Sequence, residues 1–531
     1  MEGIKPKQRQ HQPSGLPGGN GRLQHWRRPA ERPFLAHERG HTTILLSGFL
    51  TEAHEELARG LFQAWNVNIE RLPTPDNEAM MVGQEFCNRG QCNPHFYIIG
   101  NIIRYLRQRQ AEGLSAEEIE DRYALIWTSD CGPCRLGMYE GELRKALKAA
   151  GFPRFRVAIL DVGHGLDLDQ SGREPGLALT PGFFVRMART TMAADIINDL
   201  ACQVRPYEVE PGATDAAVAE ALRLCRESLR EGRSLVRALR RVRRLFDAVE
   251  TDYTRVRPRV LLTGEFWLKL TEGDGNYRLP RWLEAEGAEV IRDPVGAWFG
   301  YMVWLNQLFA RDRLRTRTDR FGLRGANPWL LRLSLTAGRW AYDGLYNLYR
   351  AAMGFKPDPL PNMKLLERYA EGYYEKRLIA GEGHLEVSKH IYTLRHNKAH
   401  MVITIKPFGC MPGNLSDGVQ AKVVTDYPDS LYLAIETTGD GEVLVKSRVQ
   451  MKLYEARAKA QREVDEVLRR YGLKMDEVRE YGERHRLNRG MLRLPRGAGV
   501  ATTAGRYVAL VARGMGRRPF DFAQDRPGRD G

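Results

Sequence analysis

The chain has 531 residues, 43% of them hydrophobic and 28% charged, with a formal net charge of +15. That length supplies two or more domains with cores of their own, and the composition is that of a globular protein. The charge does not select nucleic acid as the main partner, because it collects at the ends: residues 1–40 carry eight Lys and Arg against three Asp and Glu, and residues 471–531 carry thirteen against seven.

No run reaches the ~18 uninterrupted apolar residues of a membrane span. The opening MEGIKPKQRQHQPSGLPGGNGRLQHW lacks the apolar core of a secretory signal. Seven cysteines is an odd number, and their Gly and Pro settings are not those of a disulfide framework, so a reducing cytoplasm is expected.

In chain order, residues 1–40 read as a disordered basic tail. Order is expected from TTILLSGFL (42–50), a buried strand, followed by a helix for which Thr51 is a plausible N-cap with Glu55 nearby. VNIERLP (67–73) reads as a second strand. A first cysteine pair follows, Cys87 and Cys92 in EFCNRGQCNP, and then a helix over 94–113 with Pro94 in its first turn. YALIWTS (123–129) is a strand. Cys131 and Cys134, in SDCGPCRLGMY, open a helix that runs to about 151, and RFRVAILDV (154–162) is another strand. Both pairs are thus expected between a strand and the next helix, the edge where open α/β sheets bind ligands. Helix N-termini there also favour thiolate over thiol.

Residues 181–250 read as almost wholly helical, with Arg clusters on a solvated face. A second α/β unit opens at RPRVLLTGEFW (257–267). Its loop GEFWLKLTEGDGNY does not spell a dinucleotide fingerprint. It is expected to line a cleft, with Glu265, Glu272 and Asp274 as polar groups. Two aromatic-rich helices follow as packing elements. MVITIKPFG (401–409) is a strand, and Cys410 comes directly off its end, as the paired cysteines do in the first unit. SLYLAIETT (430–438) is a further strand before a long closing helix.

The fold class expected is α/β, with two Rossmann-like parallel-sheet units and helical insertions facing a central cleft. The divisions are a tail at 1–40, a first α/β domain at 41–205, connecting helices at 206–255, a second α/β domain at 256–480 that contributes the remote cysteine, and a Gly/Arg-rich tail at 481–531. Soft thiolates select zinc, copper(I) or iron–sulfur clusters. Short cysteine spacings plus a remote cysteine follow iron–sulfur logic. A four-thiolate zinc site using the first four cysteines, and a thiol redox pair at Cys131 and Cys134, remain open on spacing alone. Cys202 and Cys225 read as buried small hydrophobes.

The segments CNRGQCNPHFYIIGNIIRYL, CGPCRLGMY, GEFWLKLTEGDGNYRLPRWLEAEGAEVI, GEGHLEVSKHIYTLRH, KPFGCMPG and IETTGDGEVLVKSRVQMKLYEA, in this order over roughly residues 40–465, resemble the 2-hydroxyacyl-CoA dehydratase-related family. The likeness is to the cysteine-containing portion associated with large CoA-enzyme activase proteins, and to double-cubane cluster proteins. The resemblance implies a 4Fe-4S or double-cubane cluster held between the two units by Cys92, Cys131, Cys134 and Cys410, with Cys87 a further candidate. It implies oxygen-sensitive, low-potential electron transfer, with electrons supplied by a separate ATP-hydrolysing activator. The reaction would be a radical dehydration of a 2-hydroxyacyl-CoA or the reduction of another small substrate.

The chain has no P-loop or Asp-Gly-Gly phosphate loop, so it is not expected to be the ATPase itself. A homodimer or heterodimer is expected. No catalytic residue carries over from the resemblance. His95 and His384 are candidate proton donors or hydrogen-bond donors to a cluster sulfur, and Arg135 a counter-charge. A non-catalytic activase-related accessory protein and a zinc-stabilised nucleic-acid-binding protein are the alternative readings.

Overall fold

The β-branched runs become strands and the stretches between them become helices. The computed structural model describes residues 34–129, 134–161, 176–177, 180–315, 327–378, 381–495 and 499–518. The expectations placed on residues 1–33, on Cys131 and on residues 519–531 lie outside these.

The first α/β unit comprises β1 (Thr43–Leu46), α1 (Glu52–Gln63), β2 (Asn68–Arg71), α2 (Asn77–Phe86), α3 (Asn93–Ala111), α4 (Ala116–Arg122), β3 (Tyr123–Ser129), α5 (Leu136–Ala149) and β4 (Arg156–Asp161). Three helices follow: α6 (Pro181–Val204), α7 (Ala213–Arg230) and α8 (Leu235–Asp247). The second unit begins with β5 (Arg259–Gly264), α9 (Phe266–Leu270), α10 (Leu279–Ala285), β6 (Glu289–Arg292), α11 (Val295–Arg315) and α12 (Pro328–Ala352). It continues with α13 (Met363–Ala370), α14 (Gly383–Arg395), β7 (Met401–Pro407), α15 (Met411–Asp426), β8 (Tyr432–Thr437) and α16 (Glu442–Tyr471). Two more helices, α17 (Met475–Arg484) and α18 (Thr503–Gly514), close the described chain.

The protein is α/β, with two four-stranded sheets, β2-β1-β3-β4 and β6-β5-β7-β8. Every pairing is parallel. The connectivity is the same in both, so each sheet reverses direction of growth at its centre, between β1 and β3 and between β5 and β7. Strands β5 and β7 are buried throughout, as sheets covered on both faces require. One apolar core runs across both units, from Leu45, Ile98 and Leu125 to Leu262, Trp267 and Ile403.

Three expectations need correction. First, α2 was not foreseen, so Cys87 and Cys92 lie at a corner between two helices, not between a strand and a helix. Asp76 caps α2, accepting from the Ala79 N–H at 2.8 Å, and its carboxylate is held by Arg104. Gly83 and Gly100 let α2 and α3 cross with their backbones touching. A methyl group at Gly100 would overlap the Ala79 carbonyl oxygen.

Second, the tails are shorter than expected. Phe34 and Glu38 are buried, and Glu38 pairs with Arg156 at 3.1 Å. At the other end α18 is a core element. Tyr507, Val508 and Val511 recur at helical spacing and pack with Tyr207, Tyr253 and Val467. Third, helices α7 and α8 do not simply connect. Their apolar faces join those of α1, α6 and α12 in a separate helical core. Asp195 of α6 binds that core to the second unit: it is buried, accepts from the Val295 and Gly296 N–H groups at 2.8 Å each, and meets His54 of α1 at 3.1 Å.

Candidate metal centre

The carboxyl ends of the two sheets meet. Gly48, just past β1, accepts a hydrogen bond from the Trp267 indole at 3.1 Å, and Phe49 packs on Phe266 with ring centroids 6.0 Å apart. The switch points of the two sheets therefore face one another, where ligands of such sheets bind.

Each functional side chain reaches this seam by its position in a strand-end or helix-start loop. Cys92 is the N-cap of α3, Cys410 the N-cap of α15, and Glu265 the N-cap of α9. Cys134 stands one residue before Arg135, the N-cap of α5. These groups share one electrostatic neighbourhood. The Cys410 thiol is pushed up to about 12, first by burial, then by the Glu265 carboxylate, with Cys92 and Cys134 adding to the shift. Burial also pushes Cys92 up to about 11; Tyr139 and Arg135 oppose the rise and Glu265 supports it. Burial thus outweighs the helix N-termini at Cys92 and Cys410.

Local contacts fix the sulfurs. The Tyr139 hydroxyl and Cys92 Sγ are 2.6 Å apart, and the Leu136 N–H points at Cys134 Sγ at 3.5 Å. Arg135 spans the loops: its guanidinium donates to the Gly90 carbonyl at 2.5 Å and lies beside Gly409, next to Cys410. Gly413 leaves room for the Lys406 side chain and Cys410, since a Cβ there would stand 2.8 Å from Lys406 Cδ and 3.2 Å from Cys410 Cβ. The second unit also carries ion pairs with buried lysines. Lys406 pairs with Asp417, Lys269 with Glu382 at 2.7 Å, and Lys389 with Asp293 at 2.8 Å. Buried pairs of this kind hold geometry more than they add stability.

Of the five predicted cysteines, Cys92, Cys134 and Cys410 come together. Cys131 lies outside the described residues; the sequence puts it three positions before Cys134. Cys87 turns elsewhere. It ends α2, and the charges that act on its thiol are Glu142 and Lys145 of α5. Cys202 and Cys225 are buried in α6 and α7. Among the described residues no three His, Cys, Asp or Glu side chains are grouped to hold a single ion.

His95 is fully buried against Tyr139, ring centroids 4.4 Å apart, and neither ring nitrogen has a hydrogen-bond partner among the described residues. Burial drives its pKa down to about 4, so the imidazole is neutral. His384 is also buried and neutral, but it stacks on Trp304 within an aromatic cluster of α11 and α14. Glu272 and Asp274 serve the fold: they accept from the Glu52 and Asn77 N–H groups and fasten the second unit to α1 and α2. Tyr139 was quoted in the sequence motif without a role. Its place one helical turn after Arg135 was the signal that it faces the cysteine loops.

Glu265 is half-buried, and burial raises its carboxyl to about 7. Glu55, in the first turn of α1, is likewise raised from 4.5 to about 7 by burial, against the pull of Arg71 and of the Leu50, Phe49 and Gly48 N–H groups. A raised folded-state pKa adds stability at low pH that is lost as pH climbs from about 4.5 to about 7. Glu55→Gln is expected to flatten that decline by up to about 3 kcal/mol, measured as urea midpoints across pH 4–8. An unchanged pH profile would show that Glu55 ionises normally.

Fold and site together define an α/β protein with a thiol-lined seam between two parallel sheets. No family model matches the chain, and no curated protein matches it.

Proposed function

We propose that the chain is an iron–sulfur protein of low-potential electron transfer, in the 2-hydroxyacyl-CoA dehydratase-related class, reduced by a separate ATP-hydrolysing activator. One observation carries this reading: Cys92 at the start of α3, Cys134 before α5 and Cys410 at the start of α15 open helices of both units at the seam where the two switch points face each other.

The donor set fits a cluster better than a lone ion. Thiolates around a cluster bind different irons and stand apart, whereas structural zinc draws four ligands tightly to one point. Cys92, Cys131, Cys134 and Cys410 would hold the cluster, and Cys87 stands apart from them. Bound there, it would supply one-electron chemistry at low potential. The chain's own groups prepare the site. Arg135 offsets negative charge, Tyr139 directs a hydroxyl at the Cys92 sulfur, and Glu265 carries a proton near neutrality. His95 is buried, and its ring nitrogens are uncommitted among the described residues.

The test is anaerobic purification followed by iron, acid-labile sulfide and zinc analysis, with electron paramagnetic resonance after dithionite reduction. Iron and sulfide in comparable amounts are expected. A colourless protein with stoichiometric zinc would overturn the proposal.

A further inference from the structure

Helix α12 is apolar on two faces, and only one of them is covered. Thr336, Arg339 and Tyr342 face α11: Gln307 donates to Thr336 at 3.2 Å, Tyr342 to the Gly296 carbonyl at 3.3 Å, and Arg339 lies on Gly300. Round the helix from these, Trp329 is 61% exposed, Leu330 66%, Leu333 67%, Trp340 75% and Leu348 50%. Contiguous apolar surface of this kind on a globular protein marks an interaction site.

The spacing identifies the occupant. Leu330, Leu333, Ala337, Trp340 and Gly344 follow one another at intervals of three, four, three and four residues, the seam of paired helices. No charged residue interrupts them, and all five are exposed. The seam is also self-complementary. Antiparallel pairing about a two-fold axis level with residue 335 sets Leu333 against the partner's Ala337. It also sets Trp329 against the partner's Ala341 and Leu330 against the partner's Trp340. Two of these contacts set a large side chain against an alanine, the third lays Leu330 against the Trp340 ring, and the same contacts recur in both directions, as a two-fold interface demands.

The area is sufficient. At roughly 200 Å² for a whole large side chain, the four exposed side chains within the overlap, Trp329, Leu330, Leu333 and Trp340, offer about 540 Å² per copy. The pair then buries about 1,100 Å², above the roughly 1,000 Å² that a specific interface must clear.

We propose that α12 is a dimer interface, and that its occupant is the α12 of a second copy of this chain packed antiparallel. This stands on α12 alone and does not depend on the cysteine centre.

Light scattering on the full chain, coupled to size exclusion, is expected to give twice the 60.5 kDa chain mass. Leu333→Glu and Trp340→Glu are each expected to give monomers with unchanged circular dichroism. Mixing the Leu333→Glu chain with an Ala337→Lys chain is expected to restore the dimer, because the register places those two positions opposite each other. A wild-type monomer, a dimer that survives both glutamates, or a mixture that stays monomeric would each overturn the proposal. So would a monomer that floats with vesicles of anionic lipid through this face.

Discussion

Cys410→Ser is expected to reduce bound iron and labile sulfide to background while the protein stays folded. The residue is the contribution of the second sheet to the seam, and its loop has no other thiol. Serine keeps the volume but is a poor soft ligand. Its hydroxyl can still cap α15, so the helix it begins should survive. Two controls sharpen the result. Cys225→Ser, deep in the helical core, should keep its iron. Cys87→Ser should keep most of it too, because the thiol faces Glu142 and Lys145 and not the other sulfurs. Total iron loss in Cys87→Ser, equal to that in Cys410→Ser, would show that the grouping of three described thiols is wrong. Iron and sulfide assays beside circular dichroism decide between these outcomes.

Asp195→Ala is expected to destabilise the protein by about 3 kcal/mol or more. One buried carboxylate serves the Val295 and Gly296 N–H groups and His54, and so joins α6, α11 and α1. Alanine leaves two buried N–H groups and the His54 Nε2 without their acceptor, while His54 Nδ1 keeps Thr51. Asp195→Asn should be milder, since its amide oxygen can still accept. Urea denaturation measures both. A loss below about 1 kcal/mol for alanine, the size of a surface change, would mean that these groups find other partners. The loss should appear with or without metal, because Asp195 lies in the helical core and not at the cysteine seam.

Much of the architecture was readable in advance because its causes are local. β3 was expected over 123–129 and is found at Tyr123–Ser129; α3 begins at Pro94's turn as expected. Thr51 caps α1 through its own side chain, accepting from the His54 N–H at 3.4 Å. What was missed also has local causes, but weaker ones. Helix α2 lies just before the cysteine motif, and its local evidence is a single cap at Asp76 and one glycine, Gly83, whose purpose only the crossing with α3 reveals. The C-terminal segment looked like a tail because its arginines hide a short apolar period. That helix is held by distant groups: Thr503 donates to Glu289 at 2.5 Å, across more than two hundred residues.

The sequence by itself determined which elements form and that the cysteines fall in the loops at their ends, because strand length, caps and apolar period act within a few residues. It also carried the expectation that Cys410 belongs with the first unit's cysteines. Tertiary structure alone decided which thiols face the same seam. Cys92, Cys134 and Cys410 converge because two sheets of the same topology put their switch points face to face across Gly48 and Trp267. Cys87, five residues from Cys92, is carried away by the helix it ends. Spacing along a chain cannot state that difference, since it depends on the angle at which two helices cross at Gly83 and Gly100.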